Sequence, residues 1–142
     1  MAGGGVRMSI DMAAVRASLA EAITDAVLDD VTVYPRGVDG TFTAPAVVIG
    51  QPSIEFEVQP CIDRWTVPVA VAVDRTGIDE TATQQQLENT WPAVASALAV
   101  WVDAGEWPAG VTHAAMTRAD FGQLLVQGQS FPAQEIQLEI YG

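Results

Sequence analysis

Apolar residues recur every fourth position through residues 9–28, at Val15, Leu19, Ile23 and Val27 with Ala22 and Ala26 beside them, the spacing of one buried helix face. Ser9 or Asp11 can cap that helix, and Asp29 and Asp30 end it. The period then falls to two. Residues 31–34, stopped by Pro35, and residues 45–49 read as two strands of a hairpin with a long tip, because Gly37, Asp39 and Gly40 mark residues 36–43 as an exposed loop. Residues 54–58 alternate Ile54, Phe56 and Val58 against Glu55 and Glu57. In residues 63–74, Trp65, Val67, Val69, Val71 and Val73 form a large apolar face, while Thr66, Pro68, Ala70 and Ala72 form a small one, so both faces call for cover. Pro68 has no N–H for a ladder and predicts an edge position or a nearby bulge.

A second helix is predicted over residues 79–102, polar at first and then apolar at Leu87, Trp91, Val94, Leu98, Trp101 and Val102. Pro92 predicts a kink or short break near residues 89–91. Residues 111–118, 122–127 and 135–141 read as three closing strands. The order helix, strands, helix, strands predicts an α+β fold: an antiparallel or mixed sheet with two main helices packed on one face, plus the extended hairpin. One domain over residues 9–142 follows a glycine-rich leader, residues 1–8, which reads as a flexible tail without the apolar core of a signal peptide.

Composition sharpens this picture. Apolar residues make up 49% of the 142 and charged ones 17%, a surplus that puts apolar surface outside a monomer's core and hints at oligomerisation. Eighteen acidic against six basic residues, all six arginine, give a formal charge of −12. Such a chain does not hold phosphate backbones by charge, although DNA can slide past it. No apolar run reaches the ~18 residues of a membrane-spanning helix. Cys61 is the sole cysteine, so no internal disulfide forms, and no Cys/His pattern supplies a structural zinc.

The residues of catalysis are sparse. His113, the one imidazole, falls in a predicted strand of Val, Thr and Ala with no evident partner, and reads as a partly buried strand residue. Cys61 reads as a small hydrophobe at a strand's edge. The paired carboxylates read as solvated strand faces, without the spacing of a calcium loop. No catalytic, metal or cofactor residue is therefore assigned. Trp65, Trp91 and Trp101 are in phase with apolar neighbours and belong to the core, whereas Trp107 has no periodic neighbours and is either a partner contact or a lid folded back on the core.

Taken together, the opening helix with Leu19-Ala20-Glu21-Ala22-Ile23, the strands Val31-Thr32-Val33-Tyr34-Pro35 and Pro45-Ala46-Val47-Val48-Ile49, and the long strand Trp65-Thr66-Val67-Pro68-Val69-Ala70-Val71 form an ordered pattern. It continues in a helix carrying Gln86-Leu87 and Ala97-Leu98 and in the ending Val126-Gln127-Gly128-Gln129-Ser130-Phe131-Pro132-Ala133, then Ile136-Gln137-Leu138-Glu139-Ile140. In size and element order this resembles the tail terminator (tail completion) proteins of long-tailed bacteriophages over nearly the full chain. The resemblance implies a structural virion protein of the tail or neck, assembled in the host cytoplasm. It would form a ring, usually of six subunits, that stops polymerisation of the tail tube and joins the tail tube protein to the head-tail connector or head-closure protein. Such proteins are not enzymes, need no cofactor and contact no membrane, and DNA passes through the ring without specific binding. Pro92 and the leader depart from the expected pattern. Another head–tail neck or completion protein is the alternative, with an unrelated protein-binding module behind it.

On that reading, neighbouring subunits are expected to meet through the small face at Ala70 and Ala72, through the loop at Arg36, Val38, Asp39 and Phe42, and through Trp107. Glu55, Glu57, Glu135 and Glu139 are expected to share a face that lines the channel, where a negative wall repels passing DNA.

Overall fold

A computed structural model describes residues 9–27, 30–38, 40–74 and 80–142. The leader over residues 1–8 and the loop position Asp39 therefore lie outside the described residues. Helix α1, Met12–Ala26, begins where Asp11 accepts a hydrogen bond from the Ala14 N–H at 3.2 Å, and it buries Val15, Leu19 and Ile23 on the predicted stripe. Helix α2, Glu80–Ala104, runs without a break through Pro92. Leu87 before the proline and Val94, Leu98 and Trp101 after it all enter one core, so packing anchors both halves of one continuous helix despite the missing N–H. Thr90 adds a hydroxyl bond to the Gln86 carbonyl at 2.8 Å.

Six strands form one mixed sheet: β1 Thr32–Tyr34, β2 Ala46–Ile49, β3 Ser53–Gln59, β4 Ile62–Ala72, β5 His113–Val126 and β6 Gln129–Tyr141. The order is β1-β2-β4-β6-β5, and β3 also pairs with β4. Here the first hairpin expectation is corrected, since β1 and β2 run parallel, with Thr32 opposite Ala46 and Tyr34 opposite Val48. The chain returns across the sheet between them instead of turning tightly.

β4 is central, which corrects the edge expectation for Pro68. One of its sides pairs with β6 throughout. The other pairs with β2 from Ile49↔Val69 and then with β3 from Ser53↔Thr66, a one-residue shift that leaves an irregularity opposite Pro68. Gly50 donates to the Pro68 carbonyl at 2.8 Å. Because N–H and C=O of one residue face the same neighbour in an antiparallel ladder, the missing donor of Pro68 points at this interruption. Gly50 must be glycine there, since a Cβ would sit 2.9 Å from the Pro68 ring.

A different extended hairpin, which the sequence reading did not place, lies at the C-terminal end. Gln127 and Gly128, with φ of 51° and 81°, make the two-residue turn that joins β5 to β6. Two of the predicted closing strands thus merge into β5, shifted in register between Met116 and Arg118, and β6 starts six positions earlier than expected. Pro132 is tolerated in β6 because its carbonyl accepts from Val73 N–H at 3.0 Å, so its donorless side faces the end of β4 and not β5.

Val47, Ile49, Val67, Val69, Val71, Val73, Ile136, Leu138 and Ile140 share one sheet face and are buried with Val15, Leu19, Ile23, Leu87, Val94 and Leu98. Both helices therefore cover that face. Trp101 is buried and Trp65 and Trp91 pack against this core, as their phase predicts. The chain is an α+β domain with a mixed sheet.

Candidate assembly surface

The face opposite the helices carries its own small apolar patch. Ala46, Val48, Ala70, Ala72 and Ala133 are buried there, outside the main core, with Ala70 6% and Ala72 0% exposed. Their cover comes from the same chain. Phe42 lies 5.5 Å from the ring of Tyr34 on β1 and 4.8 Å from that of Phe131 on β6, so it bridges across β2 and β4, and Gln127 donates to the Gly40 carbonyl. Tyr34 closes the return from within, accepting from the Thr43 N–H at 2.9 Å and donating to the Thr41 carbonyl at 3.3 Å. Alanines suit this face because an aromatic-bearing loop lies on it. The expectation that Ala70 and Ala72 offer open surface to a neighbour is corrected accordingly. Phe42 is half-buried, as is Val38, and only Arg36 of the described loop candidates is exposed.

Trp107 is likewise a lid. Its indole N–H donates to the Trp101 carbonyl at 3.1 Å, the two rings are 6.4 Å apart, and the side chain packs against the core. Of the two readings of Trp107, the lid is the one these contacts bear out.

Glu55, Glu135 and Glu139 share the face opposite the helices, because Glu55 pairs with Arg64, Glu139 with Thr66 and Glu135 with Ala70. Arg64 bonds Glu55 at 2.6 Å, and its pKa is raised above the ordinary value, first by hydrogen bonds to Glu55 and Tyr141 and then by the Glu55 charge. The Tyr141 hydroxyl donates to Glu139 at 2.9 Å. Glu57 is set apart by the β3 irregularity, with φ of 47°, and its N–H donates to Asp63 at 2.9 Å.

His113 is exposed, not partly buried, with its ring 5.6 Å from Tyr141. Cys61 is exposed in the β3–β4 turn at a φ of 61°. Among the described residues no group of three His, Cys, Asp or Glu side chains is placed to hold a metal ion, and no helix is long and apolar enough to cross a membrane.

Sequence reasoning missed a long open edge of the sheet. β5 is an edge strand, and residues 117–123 are exposed on both of its faces. The β5–β6 ladder continues to Val126↔Gln129, whereas the β4–β6 ladder stops at Ala72↔Ala133, so the end of the hairpin projects as a two-stranded arm. Phe121 and Leu125 are 67% and 71% exposed on the side of β5 that shares Gln134 and Ser130. Arg118 and Asp120 pair with each other at the arm's root. The sequence signal was Gln127-Gly128 between apolar runs, a turn dipeptide with the left-handed residue glycine supplies. Comparison with known proteins finds no family model and no curated protein that matches the chain.

Proposed function

We propose that the chain is a structural subunit of a bacteriophage tail, a tail terminator that closes into a ring at the head-proximal end of the tail tube, stops tube growth and receives the head connector. The observation that carries the reading is the long edge strand β5, open on both faces from residue 117 to 123 and extended by an arm that exposes Phe121 and Leu125. A sheet edge with apolar side chains is a template for a further chain, and isolated subunits normally blunt such edges. The element order of the resemblance supports the terminator over other neck proteins, which tend toward β-barrels, since two helices of 15 and 25 residues cover one face of the sheet. Glu135 and Glu139 on the opposite face, where Glu55 is paired with Arg64, supply negative charge suited to a channel that DNA traverses without adhering.

Electron microscopy of the purified chain in negative stain tests this function. Closed rings with a central opening wide enough for duplex DNA, which cap the ends of tail tubes when both are mixed, are the expected result. Uniform monomers that leave tube growth unchanged would remove the reading.

A further inference from the structure

In a chain of net charge −12, two copies approach most readily through surfaces that carry no charge. The three longest stretches without a charged residue are 40–54, 89–102 and 121–134. The first is largely covered by its own chain, since β2 is buried along its length and Phe42 lies against Tyr34 and Phe131. The other two each keep an apolar side open. Residues 121–134 are the projecting arm with Phe121 and Leu125 outward, and residues 89–102 are the second half of α2, where Pro92, Ser96 and Val100 form the exposed stripe at four-residue spacing. Val100 is 66% exposed, a large apolar residue at a helix position that the other described residues leave open.

These two surfaces differ in kind. One is a ribbon with two protruding side chains, and the other is a helix face of small residues around a single valine, so they match each other better than either matches itself. Resting on the ring reading above, we propose that the arm of one copy docks on the outer face of α2 in the next copy, with Phe121 and Leu125 set against Ser96 and Val100. Such a contact is heterologous and repeats head to tail, as ring closure requires. It also keeps the acidic face of each sheet out of the contact, because Glu55, Glu135 and Glu139 lie on the side opposite α2. The occupant is a second copy on grounds of charge: the donor and acceptor surfaces are the open ones among the three longest uncharged stretches of a chain that otherwise repels itself.

The test uses the full chain with Cys61→Ser, so that introduced cysteines are the only ones. Leu125→Cys subunits and Val100→Cys subunits, carrying tags of different mass, are mixed and treated with a short bis-maleimide. The expected product is a crosslinked pair containing one of each, with Leu125→Cys alone giving none. In parallel, Phe121→Ser with Leu125→Ser, and separately Val100→Asp, should each raise the concentration for half-assembly about tenfold or more while leaving circular dichroism and melting unchanged. Arm-to-arm links from Leu125→Cys alone, or wild-type assembly that both surface variants leave intact, would overturn the docking while leaving the ring reading standing. A wild-type chain that stays monomeric up to about 100 µM would remove both.

Discussion

Ala72 has 0% exposure and sits beneath the loop that brings Phe42 across the sheet, so its side chain has no room to grow. Ala72→Arg should therefore unfold the chain more easily, by about 3 kcal/mol or more, through overpacking and burial of an unpaired charge. Urea denaturation reads this directly, and a neutral result would place Ala72 on open surface after all. Trp107 illustrates what sequence could not decide: with Gly105, Pro108 and Gly110 around it there is no period to assign it inward, yet its indole reaches the Trp101 carbonyl. Trp107→Phe keeps most of the packing and removes that bond, for an expected loss of about 1 kcal/mol in the same assay. His113 is exposed beside Tyr141, and His113→Ala should cost under about 1 kcal/mol and leave assembly unchanged.

Elements whose one face is buried were legible, because burial imposes a period. α1, β4 and the end of β6 follow their predicted stripes, with Val15, Leu19 and Ile23, the odd valines of β4, and Ile136, Leu138 and Ile140 all in one core. β5 escaped because residues 117–123 are exposed on both faces, so no alternation marks them, and Gly122 reads as a break although the strand runs through it. The parallel pairing of β1 with β2 was hidden for a different reason. The segment between them crosses the sheet and sets Phe42 against Phe131, a contact between residues far apart in the sequence that no local pattern reveals. The break expected at Pro92 does not occur: α2 continues because residues on both sides of it are anchored. Pro92 itself is exposed, so Pro92→Ala should restore a helix hydrogen bond without losing core contacts and raise stability by about 1–3 kcal/mol. A lower melting temperature for that variant would mean that the proline is needed for the shape of α2.

At the scale of the whole molecule, charge and shape pull against each other. Subunits of formal charge −12 repel on assembly, and added salt screens that repulsion. Raising ionic strength from about 0.05 to 0.5 M should therefore tighten self-association, opposite to an interface held by ion pairs. If the face bearing Glu135 and Glu139 lines a channel, Glu135→Lys with Glu139→Lys should leave assembly intact and slow genome passage through particles that carry it. Normal delivery by such particles would put those two residues elsewhere. The central claim is that this fold closes a ring through its own uncharged surfaces, and native mass spectrometry over a concentration series tests it most directly. Six copies of the 15.0 kDa chain, a closed species near ~90 kDa with no larger ladder, is the predicted result. A chain that remains at the mass of one subunit throughout, or grows into an open series without a preferred size, would contradict it.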